Sequence, residues 1–403
     1  MVNWLGFFAL AFVWTTLLRV DRLVWGTHLT PGVVLIGGYT IIAGIYALAS
    51  EFYEMAPIIA QTYWILFFFG VLTLVSSVSV AFAFKWQRKS MSLPKPSTGI
   101  RTRGMLILFA LFFIGIIWGP AQSAGGFWSS ESKEVLGGGI YGHSHILLAF
   151  LTIFYSVSTI DRATLRYPIV VACVVALSLY PVKGWTLIPV LAIAFNEFLR
   201  KKDKQAGILP LFVASLVGVI VFFGIYLARA DFGNVSFEVV NSVLDEIFKH
   251  FLFYLTSGFA GLNAVVSGLR LQGGIEVLLA PFVNIFNLLA GKPYVDIISD
   301  VYVEGLLDHG DGGNVYSFLG ALISRLDWIG GVGLALLIVI LSYVIFSFAI
   351  RTRTAAAMVC VLYMLAILSF SWFEYYFWHL TVYEIGIISF VVMVIEYSTK
   401  RRL

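Results

Sequence analysis

The chain has few charged residues, and this scarcity excludes an ordinary soluble fold. Only 12% of its 403 residues are charged, whereas a typical soluble domain is about 25% charged. Hydrophobic residues make up 60% of the sequence, and its mean hydropathy is +0.93. A soluble protein of this length could not bury so much apolar surface, so we expect an integral membrane protein.

Several chemical motifs are also missing. The two cysteines, Cys173 and Cys360, lie inside apolar runs and cannot form a disulfide framework. The sequence has no Walker-type phosphate loop, no His-Glu-x-x-His zinc motif and no nucleophile elbow. Acidic residues are nearly absent from the predicted span centres, which argues against an ion-coupled pump. The formal net charge of +4 indicates no nucleic-acid partner, because the positive residues lie in short turns.

Apolar runs predict an all-α polytopic membrane protein with about eleven transmembrane helices. The first run lacks the basic segment and the cleavage site of a signal peptide, so we interpret it as a retained span. The predicted spans are residues 3–18, 31–50, 58–84, 104–120, 143–160, 168–182, 184–199, 207–228, 328–350, 354–371 and 376–396.

The basic residues predict the orientation of these spans. Every basic cluster follows an odd-numbered span or ends the chain, so all the clusters lie on one side. The positive-inside rule assigns that side to the cytoplasm. We therefore expect the N-terminus outside the cytoplasm and the C-terminus inside. The clusters are Arg19 and Arg22, six residues between Lys85 and Arg103, Arg162 and Arg166, four residues between Arg200 and Lys204, Arg351 and Arg353, and Lys400 to Arg402.

One long hydrophilic segment, Arg229 to Asp327, lies on the outer side. It carries eleven acidic and five basic residues, a net charge of −6. Two apolar runs inside it, Ile247–Phe259 and Glu276–Leu289, are too short to span and predict interfacial helices. We therefore divide the chain into N-terminal transmembrane helices (1–228), a large periplasmic loop (229–327) and C-terminal transmembrane helices with a basic tail (328–403).

Three cations near the outer face are candidates for binding phosphate. Lys183 lies in an outer turn, against the positive-inside bias, and Arg270 and Arg325 lie in the loop. A guanidinium group has a planar fork that suits phosphate oxygens. Other interpretations remain open: Lys183 as a snorkelling side chain, Arg270 as a surface residue, and Arg325 in an ion pair with Asp327.

Five further residues are candidates for proton transfer or for lining the site. His309, between Asp308 and Asp311, is a candidate base, with either aspartate as a substitute; a solvated turn is the alternative. This cluster lacks the ligand spacing of a zinc site. His143 and His145 open the fifth predicted span on the outer face. They either line a substrate cavity or are interfacial residues without a catalytic role.

Three segments together resemble the Wzy O-antigen polymerases, which polymerise lipid-linked oligosaccharides in bacteria. Asn314–Phe318 (Asn-Val-Tyr-Ser-Phe), followed by Leu326–Gly330 (Leu-Asp-Trp-Ile-Gly), is similar to that family's Asn-Val-Tyr-Thr and Asp-Phe-Gly elements. Phe253–Asn263 is similar to its Tyr-x-Thr-Gly stretch, and Lys183–Gly184 to its basic turn. The resemblance covers the second half of the chain. An Arg-x10-Gly pattern described for some members is absent, so the arginine roles rest on topology.

The resemblance implies a GT-C-like, metal-independent glycosyltransferase in the bacterial inner membrane. It would polymerise undecaprenyl-pyrophosphate-linked repeat units at the periplasmic face without a cofactor. The partners implied are the lipid-linked oligosaccharide, membrane lipids and a chain-length-regulating co-polymerase. The roles implied are Lys183, Arg270 and Arg325 on the pyrophosphate, His309, Asp308 or Asp311 as base, and Asn263, Asn314 and Tyr316 in positioning the sugar or phosphate.

Three competing functions remain open. An O-antigen ligase shares the lipid donor, and the sequence separates it poorly from a polymerase. A lipid-linked oligosaccharide transporter should carry charges deep in its spans and no elaborated outer loop. A non-catalytic assembly protein gives no reason for cations gathered under one loop.

Overall fold

The computed structural model of the protein is helical throughout the part of the chain that it describes. All regular secondary structure in these residues is α-helix or 3₁₀-helix, so the predicted all-α class is confirmed. The described residues are 3–53, 55, 57–84, 139–157, 171–172, 174–177, 183–200, 237–296, 315–352 and 354–400, with scattered positions between 209 and 223.

The helices follow the predicted spans closely in the N-terminal region and near the C-terminus. In chain order they are α1 (Trp4–Trp25), α2 (Pro31–Ala49), α3 (Ala60–Ala83), α4 (Gly139–Val157), α5 (Lys183–Arg200), α6 (Phe237–Val266), α7 (Ile275–Leu278), α8 (Ala280–Leu289), α9 (Phe318–Thr352), α10 (Ala355–Ser369), a 3₁₀ turn (Tyr376–Trp378) and α11 (Leu380–Lys400).

In the described part of the chain, three helices, α2, α3 and α9, are long and apolar enough to cross a membrane. Four shorter apolar segments occur as well, in α4, α8, α10 and α11. Helix α3 exposes a stripe of Trp64, Phe68, Leu72 and Val75 at helical spacing, as a lipid-facing helix does. Membrane-length apolar helices are therefore present, whereas the number of about eleven stays a prediction. The predicted spans 104–120, 168–182 and 207–228 lie wholly or largely outside the described residues.

Local sequence signals explain where the first helices begin and end. The Asn3 side chain accepts the backbone N–H of Gly6 at 2.9 Å and caps α1. Gly26 ends the same helix in the left-handed conformation, with φ of 76°. Pro31 stands at the first position of α2, where its missing N–H costs nothing.

The chain divides into two compact units built from interleaved segments. The first consists of residues 1–90, 220–344 and 367–380, and the second of 91–219, 345–366 and 381–403. The predicted loop 229–327 belongs to the first unit together with α1–α3. The division of the chain at residues 228 and 327 stays a prediction.

A buried carboxylate ties together four parts of the first unit. Asp21 of α1 is fully buried, and its Oδ2 accepts hydrogen bonds from Thr30 and, at 2.7 Å, from the Tyr343 hydroxyl of α9. Its Oδ1 accepts the Ser77 hydroxyl of α3 at 2.5 Å. The Trp25 indole N–H donates to the same Ser77 oxygen at 2.9 Å. Because three donors satisfy the carboxylate, α1 continues as a helix past its predicted end at residue 18.

In the second unit, side chains of α5 satisfy the C-terminal end of α4. Asn196 and Arg200 donate to the Ser156 carbonyl oxygen at 2.8 Å and 3.1 Å. The last carbonyls of a helix have no intrahelical partner. These two bonds therefore fix the packing of α4 on α5.

Candidate functional site

Two segments that carry the polymerase resemblance contact each other in the first unit. The Ser317 backbone N–H donates to the Gly258 carbonyl oxygen of α6 at 3.3 Å. A Cβ atom at Gly261 would lie 2.8 Å from the Val315 carbonyl oxygen, and one at Gly258 would lie 2.2 Å from that of Phe373. Glycine at both positions lets two backbone segments approach α6 closely.

The beginning of α9 is held from a second side. The Ser371 carbonyl oxygen accepts the Phe318 N–H at 2.7 Å and the Tyr39 hydroxyl at 3.0 Å. The Tyr39 oxygen in turn accepts the Leu319 N–H at 3.1 Å. The Phe318 ring stacks on Tyr375 with centroids 5.7 Å apart. The first turn of α9 is therefore firmly fixed, and it positions the residues that follow.

Arg325 lies two turns further along α9. Its guanidinium carbon stands 5.8 Å from the centre of the Trp378 ring. Its Nε and Nη1 atoms are buried and have no hydrogen-bond partner among the described residues. Tyr316 and Glu276 interact with it electrostatically. The N–H of Gly274 lowers the pKa of Glu276, and the positive charge of Arg325 lowers it further. The site therefore offers a cation with two donors that no described residue uses.

The Asp327 carboxylate does not pair with Arg325. Asp327 has φ of 61° and ψ of −172°, which breaks α9 into two segments. Its Oδ1 accepts the N–H groups of Ile329 and Gly330 at 3.0 Å and 3.1 Å. It therefore caps the second segment, and the alternative of an Arg325–Asp327 ion pair is not what the structure shows. A Cβ atom at Gly331 would lie 2.7 Å from the Ile323 backbone, so the break also needs that glycine.

A carboxylate–imidazole pair next to Trp378 was not predicted from the sequence. Glu374 Oε1 lies 2.8 Å from His379 Nε2 and accepts the Trp378 indole N–H at 2.9 Å. Burial raises the pKa of Glu374, but the hydrogen bonds from His379 and Trp378 and the charge of His379 outweigh it, so this pKa lies below its ordinary value. The signal available in the sequence was a Glu and a His five residues apart in a turn between two apolar runs.

Residues 49–402 match the family described as "Family of unknown function (DUF6337)". The chain belongs to this family. The DUF6337 match covers α6, α9, the Arg325 site and the Glu374–His379 pair, and leaves out α1 and almost all of α2. No curated protein matches the chain, and no solved structure does. The resemblance to Wzy polymerases therefore stays a prediction for this DUF6337 member.

Two other predicted residues of the first unit occupy different surroundings. The Asn263 Oδ1 accepts the Ile59 N–H and the Thr62 hydroxyl, both at 2.9 Å, and its amide donates to Pro57 at 3.2 Å. Asn263 therefore holds the start of α3. Tyr316 is completely buried beside Arg325. Their predicted contacts with a sugar or phosphate stay predictions.

The remaining predicted cations are not described as part of the Arg325 site. Arg270 is exposed and forms no hydrogen bond or ion pair with any described residue. Lys183 begins α5 in the second unit, and its side chain lies outside the described part of the chain. Their role on the pyrophosphate stays a prediction.

The two predicted histidines of α4 belong to the second unit and differ in environment. His143 Nδ1 lies 2.7 Å from Glu384 Oε1, and its side chain is 62% exposed. His145 is buried and hydrogen bonds to the Leu177 backbone. His143 is therefore the accessible member of the pair, and the role of both in lining a cavity stays a prediction.

Four predicted site residues lie outside the described residues. They are the base candidates His309, Asp308 and Asp311 and the positioning residue Asn314. Among the described residues, no group of three or more His, Cys, Asp or Glu side chains is arranged to hold a metal ion. The metal-free scheme stays a prediction.

Proposed function

We propose that the protein is a glycosyltransferase of the inner membrane that polymerises undecaprenyl-pyrophosphate-linked oligosaccharide repeat units at its periplasmic face. The observation that carries the proposal is Arg325, whose Nε and Nη1 groups are buried without an acceptor among the described residues. A buried donor without a partner costs about 1–3 kcal/mol, and more when it is charged. An anionic ligand would remove this cost, which favours a binding role for Arg325.

The chemistry of guanidinium groups favours a phosphate ligand. Nε and an Nη atom of one arginine form two parallel N–H donors, which match two oxygens of a phosphate. Glu276 interacts with Arg325 electrostatically, and its carboxylate accepts the Gly274 N–H at 2.7 Å. The Trp378 ring lies against one side of the guanidinium. The two donors are therefore available to a ligand.

The position of the site in the chain favours a lipid-linked ligand. Arg325 stands two residues before the break at Asp327, after which α9 continues as a membrane-length apolar helix. Helix α8, which follows the short helix of Glu276, exposes Phe286 and Leu289, the latter to 82%. An exposed apolar face of this kind is covered by lipid or by a partner. In a lipid pyrophosphate, the charged pyrophosphate is likewise followed directly by an apolar chain.

The reaction requires few groups from the protein. The acceptor hydroxyl oxygen attacks the anomeric carbon of the lipid-linked chain, and the pyrophosphate leaves with the bonding electron pair. Arg325 would neutralise the charge that develops on the leaving group, a contribution of about 3 kcal/mol for one donor. Lys183 and Arg270 are proposed to assist it. Aromatic residues beside Trp378, such as Phe373 and Phe377, are partly exposed and offer faces to a sugar ring.

The test is the polysaccharide ladder of a deletion strain complemented with the wild type or with variants at equal membrane abundance. We expect the wild type to restore a ladder of repeat units and Arg325→Ala to abolish it, because one charged donor contributes roughly 100-fold or more in rate. Arg325→Lys should restore little, since an ammonium group lacks the planar fork. Lys183→Ala and Arg270→Ala are expected to shorten or remove the ladder.

The control and the contrary results are defined by the same gel. Arg19→Ala removes an exposed arginine of α1 that forms no side-chain hydrogen bond or ion pair with described residues, and it should leave the ladder intact. A full ladder from Arg325→Ala would show that the site is misassigned. A deletion strain that accumulates long lipid-linked polymer never attached to lipid A core would identify a ligase instead.

A further inference from the structure

The Glu374–His379 pair has the geometry of an oriented base. Glu374 Oε1 lies 2.8 Å from His379 Nε2, and the Trp378 indole N–H donates to the same oxygen at 2.9 Å. The His379 backbone N–H closes the 3₁₀ turn onto the Tyr376 carbonyl oxygen at 3.0 Å. The two side chains are 25% and 22% exposed, so the pair is held firmly but remains accessible.

A carboxylate on one ring nitrogen determines what the other can do. When Glu374 accepts the Nε2–H, the neutral imidazole carries its lone pair on Nδ1. The carboxylate also stabilises the imidazolium ion that forms when Nδ1 takes up a proton. A purely structural interaction that holds this turn would need only the hydrogen bond from the Trp378 indole N–H to Glu374. The imidazole adds a basic ring nitrogen, which such an interaction does not require.

The Glu374–His379 pair and Arg325 both contact the Trp378 side chain. Arg325 stands over the ring face of Trp378 at 5.8 Å, whereas His379 Nε2 lies 3.2 Å from the indole nitrogen at the ring edge. The two functional groups therefore belong to a single local site within the first unit. Glu276 and Tyr316 are the other described ionisable groups that interact with Arg325 there.

We infer that His379, oriented by Glu374, is the general base of the Arg325 site. This inference rests on the proposed function and names a base among the described residues, in place of the loop candidate His309. Nδ1 of His379 takes the proton of the acceptor hydroxyl while the hydroxyl oxygen forms the new bond to the anomeric carbon. The bond between that carbon and the pyrophosphate oxygen breaks, and the electron pair leaves with the pyrophosphate. The proton then passes from His379 to water.

The test uses the full-length protein, purified and reconstituted in liposomes with an undecaprenyl-pyrophosphate-linked repeat unit. We expect His379→Ala to lower kcat for polymer formation by at least about 100-fold, the usual contribution of a general base. KM should change little, because Arg325 still holds the pyrophosphate. Added imidazole should restore part of the rate. Glu374→Gln keeps an acceptor for Trp378 but removes the charge, and we expect a loss of about 10-fold to 100-fold.

A matched histidine separates a catalytic role from a general effect of imidazole. His250 of α6 lies in the same unit and packs on the Phe253 and Tyr254 rings. His250→Ala should keep the wild-type rate and show no response to imidazole. The unfolding temperature of His379→Ala should match that of the wild type.

Each contrary outcome has a separate meaning. Polymer formation by His379→Ala at the wild-type rate would refute the assignment of the base and leave the proposed function standing. An inactive His379→Ala that imidazole does not restore, or that unfolds at a lower temperature, would assign the pair a structural role. If the wild type forms no polymer, the proposed function is wrong, and the base assignment fails with it.

Discussion

Two charged groups in the first unit, Asp21 and Arg325, have opposite hydrogen-bond environments. Asp21 is fully buried and accepts hydrogen bonds from Thr30, Ser77 and Tyr343. Arg325 has two buried N–H groups that donate to no described residue. A satisfied buried charge stabilises the packing around it, whereas an unsatisfied one is a cost that a ligand can remove. The comparison separates a structural charge from a candidate binding charge.

The largest expected effect on stability comes from replacing Asp21, the charged group whose hydrogen bonds are satisfied. Asp21→Ala leaves three hydroxyl groups without their acceptor, at about 1–3 kcal/mol for each buried group. We expect the free energy of unfolding to fall by about 3 kcal/mol or more, measured by thermal and denaturant unfolding in detergent. Ser76→Ala is the control, because among the described residues this hydroxyl bonds only to the Leu72 carbonyl of its own helix. Equal stabilities of the two variants would show that Asp21 does not stabilise the packing.

At Arg325, binding of a ligand should change the stability of the protein more than removal of the side chain does. Undecaprenyl pyrophosphate at 100 times its Kd should stabilise the wild type by about 2.7 kcal/mol, seen as a rise in unfolding temperature. Arg325→Ala should show no rise and little loss of stability without ligand, because the Nε and Nη1 groups donate no hydrogen bond to any described residue. Arg19→Ala should keep the full rise. A ligand-induced rise in Arg325→Ala equal to that of the wild type would remove Arg325 from the binding site.

A glycine next to the break in α9 connects the comparison to backbone packing. Gly331→Ala would place a Cβ atom 2.7 Å from the Ile323 backbone, and overpacking of this kind costs about 1–3 kcal/mol. Gly333→Ala, two residues on, meets nothing within 4 Å. It should be neutral, or stabilise the helix by up to about 1 kcal/mol. We expect Gly331→Ala to lower both stability and ladder length, and equal behaviour of the two variants would contradict the close packing.

The smallest expected effect comes from removing the helix cap that the Asp327 side chain provides. Asp327→Ala loses the acceptor for Ile329 and Gly330 and places alanine at a positive φ, at a cost of about 1 kcal/mol. Asp327→Asn keeps an acceptor and tolerates that conformation, so it should be close to the wild type. Unfolding in detergent measures both variants. If Asp327→Asn destabilised as much as Asp327→Ala, the charge of Asp327 would matter beyond its role as a cap.

Part of the site was predictable from sequence alone. Arg325 was identified as a cation near the outer face, and the similarity of Asn314–Phe318 and Phe253–Asn263 to one family pointed to two segments that do contact each other. Their contact depends on Gly258 and Gly261, whose missing side chains let the backbones approach. The function of Asp327 was not predictable, because ion pairing and helix capping use the same carboxylate, and only the backbone angles distinguish them.

Other features had little or no local signal in the sequence. Glu374, Trp378 and His379 are within six residues of one another, yet their hydrogen bonds depend on a 3₁₀ turn that no periodic pattern indicates. The Asp21 cluster joins residues separated by up to 322 positions, so no sequence window contains it. The 30-residue helix α6 extends well beyond the apolar run Ile247–Phe259 that predicted an interfacial helix.

Hydropathy and helical period are properties of consecutive residues, so the all-α class and the membrane-length apolar helices follow from the amino-acid sequence. Which charged groups have hydrogen-bond partners follows only from how the helices pack. Asp21 accepts hydrogen bonds from three hydroxyl groups, whereas two N–H groups of Arg325 donate to no described residue. Both outcomes depend on atoms brought together from distant parts of the chain. Hydrogen bonds act over about 3 Å in space, and a single sequence does not specify such distances.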